Sequence, residues 1–133
     1  MDNEQQSTRH TTPLVYVVDD MRVLAELAGT ILRQDQYEIR VFNDPHDAYS
    51  AFKTDPLPPE LLVTDAEMPS MSGFDLIRLF RQKHPQLKAI VMSGSVDQSW
   101  MDRQPVQPDR FLPKPYRPSE LQQMARNLLQ PAP

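Results

Sequence analysis

Cysteine is absent from the 133-residue chain. That excludes disulfides and thiolate metal sites and leaves carboxylates as the ligands for any metal. A carboxylate donor set favours a hard ion, Mg²⁺ first, with Mn²⁺ as the alternative. Long hydrophobic runs are missing too. None exceeds Leu14–Val18, so no segment is suited to span a bilayer or to form the core of a signal peptide, and a cytoplasmic protein without a membrane partner is expected. Basic residues are in the minority: the net charge is -4 and the pI ≈ 5.3. Nucleic acid is gripped by clustered Lys and Arg, so the expected partners are proteins.

What is present is a chain of the size of one ordinary domain. Proline is abundant, with 14 residues, and it is concentrated rather than spread. Pro56, Pro58 and Pro59 precede an apolar run, while Pro105, Pro108, Pro113, Pro115 and Pro118 crowd the last third. Residues 1–12 are polar and aperiodic and read as a disordered tail, and residues 131–133 as a frayed terminus, leaving 13–130 as the folded unit.

Leu14–Val18 is a short, β-branched apolar run, the pattern of a strand buried on both faces. After Asp19-Asp20, Leu24, Leu27, Ala28, Ile31 and Leu32 recur at helical spacing. Tyr37–Phe42 reads as a second strand. Asp44-Pro45 then provides an N-cap and a first-turn proline for a helix ending near Thr54. Leu61–Thr64 is a third strand running into Asp65, followed by a loop from Ala66 to Gly73. Ser72 and Asp75 fit a capping box for the next helix, which Pro85 ends. Lys88–Met92 is a fourth strand with Ser93 directly after it. Between Ser95 and Gln104 only Val96, Trp100 and Met101 are large and apolar, so a short or irregular helix is expected there. Arg110–Leu112 is a brief fifth strand, and Leu121, Met124, Ala125, Leu128 and Leu129 mark a last amphipathic helix. Alternating strands and helices of this kind predict an α/β fold: a doubly wound, five-stranded parallel sheet with helices on both faces, for which the flavodoxin-like order 2-1-3-4-5 is the common solution.

In such sheets ligands bind beyond the carboxyl ends of the strands. There the sequence puts Asp19 and Asp20 after the first strand, Asp65 after the third, Ser93 after the fourth and Lys114 after the fifth. Three neighbouring carboxylates raise one another's pKa unless a cation neutralises them, which a divalent ion would do. Asp65, nearest the middle of the sheet, suits a nucleophile attacking phosphorus. Lys114 suits a point charge on one phosphoryl oxygen, and Ser93 a hydroxyl donor to another. Taken singly, each residue has a plainer reading: Asp19-Asp20 as a helix cap, Ser93-Gly94 as a turn, Lys114 as a solvated loop charge. Only their conjunction favours the chemistry.

These residues sit in recognisable motifs: VVDD at 17–20, LLVTDAEMPSMSGFDL at 61–76, IVMSG at 90–94 and FLPKPY at 111–116. Through them nearly all of residues 13–130 resembles the response-regulator receiver family (CheY-like). The resemblance implies that Asp65 is the phosphoacceptor, served by a histidine kinase or a histidine phosphotransfer protein. It implies that Asp19, Asp20, Asp65 and the backbone carbonyl of Glu67 hold the metal, and that Ser93 and Phe111 are the switch pair. It further implies a cis peptide between Lys114 and Pro115, and signalling to a downstream protein through the face made by the fourth helix, fifth strand and fifth helix. The expected protein is a single-domain phosphoacceptor, catalysing only its own phosphorylation and dephosphorylation rather than acting as an enzyme on other substrates.

Three features depart from the family pattern. Residues 95–110 lack the usual alanine- and glycine-rich character, Phe111 carries no phenolic hydroxyl, and Glu67 adds a carboxylate beside the phosphoacceptor. Trp100 is expected to pack with Val96 against the sheet, with an exposed partner anchor as the other reading. A pseudo-receiver that binds without phosphorylation is disfavoured by the intact Asp19, Asp20, Asp65 and Lys114. An aspartyl phosphatase is disfavoured by a mid-chain Asp65 followed two residues later by glutamate instead of aspartate.

Overall fold

A computed structural model describes residues 12–95 and 97–130. Ten elements alternate along the chain: β1 (Leu14–Val18), α1 (Arg22–Arg33), β2 (Glu38–Phe42), α2 (Pro45–Thr54), β3 (Leu61–Asp65), α3 (Gly73–Lys83), β4 (Lys88–Ser93), α4 (Gln98–Asp102), β5 (Arg110–Pro113) and α5 (Pro118–Leu129). The strands form one parallel sheet in the order β2-β1-β3-β4-β5, the flavodoxin-like arrangement anticipated from the sequence. The tails expected at 1–12 and 131–133 lie outside the described residues apart from Thr12, and so does Val96.

Period-two alternation splits the core into two layers. Val15, Val17, Leu61, Val63, Ile90, Met92 and Leu112 face α1 and α5, where Ala28, Ile31, Leu32, Leu121 and Ala125 meet them. Tyr16, Val18, Leu62, Ala89 and Val91 face the other way, onto Phe52 of α2, Phe74, Leu76, Ile77 and Phe80 of α3, and Met101 of α4. Caps set the helix starts: Asp44 accepts from the His46 N–H at 2.7 Å, and Ser72 and Asp75 form the capping box. Helix α4 is short, as anticipated. Asp97 caps it by accepting from the Trp100 N–H at 2.8 Å, and the proline-bearing segment that follows cannot continue it.

Two polar networks hold what helix propensity does not. Tyr16 is fully buried and donates its hydroxyl to Asp55 Oδ2 at 2.9 Å, while Arg40 pairs with the same carboxylate. Burial, reinforced by Asp55, pushes the Tyr16 hydroxyl pKa up to about 12. Toward the β4–β5 edge of the sheet, Arg81 of α3 donates to Leu87 O at 3.2 Å, to Gln107 O at 2.7 Å and to Asp109 Oδ2 at 3.0 Å. Asp109 also accepts from the Ala89 N–H at 2.8 Å. The proline-rich approach to β5 is thereby fastened to α3 and β4. Arg81→Ala is expected to lower unfolding free energy by about 1–2 kcal/mol, mostly through the part-buried Leu87 carbonyl that loses its donor, because the Gln107 contact is exposed and the ion pair partly solvated. Urea denaturation of the variant measures it, and an unchanged midpoint would remove Arg81 as the fastener.

Candidate functional site

Strand register brings the polar ends together. Val18 lies opposite Thr64, which sets Asp19 beside Asp65. Asp65 is paired with Met92, which puts Ser93 one step beyond it on β4. Ser93 is paired with Pro113, so that Lys114 is the next residue on the far side. Each apolar strand therefore delivers its terminal polar group to one rim. Asp65 ends the central strand.

The acidic groups converge as the sequence predicts: ligand oxygens of Asp19, Asp20 and Asp65 all lie within 4.8 Å of one another. Asp19 is fully buried, Asp65 partly and Asp20 exposed. Lys114 Nζ donates to Asp19 Oδ2 and to Asp65 Oδ1, both at 3.0 Å. Desolvation raises the Asp65 carboxyl above the ordinary carboxylate value; Lys114 opposes this, and Asp19 and Asp20 add to it. Burial alone would lower Lys114, but its hydrogen bonds to Asp65 and Asp19 outweigh that and hold it above the ordinary lysine value. A set of three carboxylates open on the Asp20 side fits a hard divalent cation.

Backbone contacts hold this constellation. Asp19 Oδ1 accepts from the Met21 N–H at 3.0 Å, and Asn43 donates to Asp19 O at 3.2 Å. The Ala66 N–H donates to Met92 O at 2.8 Å, the Lys114 N–H to Ser93 O at 2.8 Å, and the Gly73 N–H to Ala66 O at 3.0 Å. The peptide between Lys114 and Pro115 is cis, as the resemblance implied. Ser93 is buried and its Oγ accepts from the Ser95 N–H at 3.2 Å. Phe111 is half-buried on β5 and packs on the α2–α3 side of the core. Trp100 meets Phe74 edge-on at 5.5 Å rather than standing free of the core. Beside Asp19 and Lys114 is a slot of ≈ 310 Å³ whose other walls are Leu24, Leu27, Met92, Pro115 and Tyr116.

Three contributors escaped the sequence reading. Asn43 holds the Asp19 backbone, Ser95 reaches both Ser93 and Glu67, and Gly73 has no room for a side chain: a Cβ there would stand 2.2 Å from Asp65 O. Only the last carried a local signal, a glycine directly after a capping serine.

The family described as response regulator receiver domain matches residues 15–126. The chain belongs to this family. Among curated relatives, the receiver is 30% identical over 107 residues to ARR21 of Arabidopsis thaliana, a protein named for the two-component response regulators, covering 80% of this chain and 17% of that one. It is 28% identical over 118 residues to the autoinducer 1 sensor kinase/phosphatase LuxN of Vibrio harveyi, covering 89% of this chain and 14% of that one. The receiver thus spans only a small part of either relative. Its fold is shared with the receiver domain of the Francisella response regulator 1452, at TM-score 0.79 and 22% identity over 90% of this chain and 98% of that one. Among the described residues no helix is long and apolar enough to cross a membrane.

Proposed function

We propose that this receiver takes a phosphoryl group onto Asp65 from a histidine kinase or histidine phosphotransfer protein in the cytoplasm, and signals to a protein target through the face formed by α4, β5 and α5. The observation that carries the reading is the central-strand Asp65, flanked by Asp19 and Asp20 and held 3.0 Å from Lys114 Nζ. One Asp65 carboxylate oxygen attacks phosphorus as the bond from phosphorus to the donor's imidazole nitrogen breaks, and that nitrogen leaves with the electron pair. Lys114 offers its ammonium to a phosphoryl oxygen, and Ser93 its hydroxyl proton to another. Mg²⁺ held by Asp19, Asp20, Asp65 and the Glu67 carbonyl would supply positive charge against the phosphoryl oxygens. Movement of Ser93 toward the new group leaves space for Phe111 to turn inward and reshape the output face.

Incubation with acetyl phosphate and Mg²⁺, followed by intact mass, tests this directly. One added phosphoryl group is expected in the wild type and none in Asp65→Asn, which should also be the more stable protein at neutral pH. The sign follows from the raised Asp65 value: ionisation is less favourable in the folded than in the unfolded chain, so the charge subtracts stability above the unfolded pKa. An adduct that persists in Asp65→Asn would overturn the assignment.

A further inference from the structure

The connections after β3 and after β4 flank Asp65, and one side-chain contact bridges them. Ser95 Oγ donates to Glu67 Oε1, while the Ser95 backbone N–H donates to Ser93 Oγ at 3.2 Å. With these two donors Ser95 ties a carboxylate two residues beyond the phosphoacceptor to the hydroxyl at the tip of β4. Two residues further on, Asp97 caps α4 through the Trp100 N–H, and the Trp100 ring stands edge-on to Phe74 of α3. Helix α4 spans only Gln98–Asp102, so little intrahelical hydrogen bonding resists a shift at its N-terminus.

A phosphoryl group on Asp65 would replace the single charge of its carboxylate with up to two on the acyl phosphate, a net gain of about one negative charge close to Glu67, and recruit the Ser93 hydroxyl that Ser95 now holds. Both effects act against the Ser95–Glu67 contact. We propose that the Ser95–Glu67 hydrogen bond is a latch, which fixes the segment from β4 to α4 in the unphosphorylated arrangement and opens when Asp65 carries a phosphoryl group. The inference rests on the phosphoacceptor reading above. Ser95 is a positioning residue here: it acts through Glu67 and Ser93 and does not touch phosphorus.

The latch makes a prediction that a simple charge effect of Glu67 does not. If Glu67 only repels the incoming anion, Ser95→Ala leaves that repulsion in place and changes nothing. If the contact is a latch, removing either partner favours the activated arrangement. Trp100 is the single tryptophan in the sequence and reports on α4. Beryllofluoride with Mg²⁺, a mimic of the acyl phosphate, is titrated against Trp100 emission. Ser95→Ala and Glu67→Ala should each lower the midpoint by roughly three- to tenfold, the range of one charge-assisted hydrogen bond at an exposed site. The double variant should go no lower than the deeper single one, because both remove the same contact. An unchanged midpoint in Ser95→Ala overturns the latch, and so do fully additive effects. Binding seen by fluorine NMR with no response in Trp100 also overturns it, since α4 would then be uncoupled. A wild type that takes no phosphoryl group from acetyl phosphate removes the phosphoacceptor reading and the latch with it, whereas normal phosphorylation with an unchanged Ser95→Ala midpoint removes the latch alone.

Discussion

Lys114→Ala should slow phosphorylation of Asp65 by roughly 100- to 1,000-fold, the scale on which a single preorganised charge or donor stabilises a transition state. The ammonium lies 3.0 Å from both Asp19 and Asp65, where, on the proposed function, an incoming phosphoryl oxygen would also need it. Removal has a second consequence, because Asp19 is fully buried and would be left without its countercharge. Stability in a metal chelator should fall by about 3 kcal/mol, as for other buried pairs that lose one partner. Added Mg²⁺ should restore part of it by neutralising the same carboxylates. The pair is intact across the neutral range: Lys114 titrates above its ordinary value, so its contribution is complete below the unfolded lysine pKa and fades only as pH rises through the raised one. Phosphorylation rates by intact mass, with urea denaturation in chelator and in Mg²⁺, measure both effects. A rate within a factor of about three of wild type would dismiss Lys114 from the transfer step.

Gly73→Ala should harm stability and phosphorylation together, although Gly73 carries no chemistry. Its backbone φ is negative, so conformation is not the obstacle. A methyl group would stand 2.2 Å from Asp65 O and 3.0 Å from Thr64 Cγ2, and the nearer atom is backbone that cannot rotate away. Either α3 retreats or the end of β3 moves. The expected loss is about 1–3 kcal/mol, with a fall in phosphorylation rate of at least about tenfold, because small displacements of a reacting group are costly. Urea midpoints and acetyl phosphate kinetics on the same samples read both. Unaltered kinetics in a destabilised protein would show that α3 yields and Asp65 stays in place.

Most of the architecture was legible because the three central strands, β1, β3 and β4, are near-continuous apolar runs with a polar residue at or just beyond the carboxyl end. A fully buried strand has to be apolar on both faces, and the chain turns where that run stops. The Asp44, Ser72 and Asp75 caps were legible for the same local reason: their hydrogen bonds reach only two or three residues along the chain. Even the brevity of α4 could be read from Pro105 and Pro108, although its cap at Asp97 and the packing of Trp100 on Phe74 could not. In the sequence Tyr16 is simply part of an apolar run. That it buries a hydroxyl on Asp55, 39 residues away, has no trace in the run itself.

The sequence by itself determined the type and order of the elements, the fivefold repetition of strand and helix, and the identities of the residues at the strand tips. Those features depend on spacing within single segments, where side-chain period and local hydrogen bonds act. Tertiary structure alone decided that Lys114 bridges Asp19 and Asp65, that Arg81 fastens the approach to β5, that Gly73 lies against Asp65, and that Ser95 reaches Glu67. Except for Gly73 and Asp65, which a single loop separates, these join groups far apart in the chain, and their meeting depends on sheet register and loop path, which local patterns do not set.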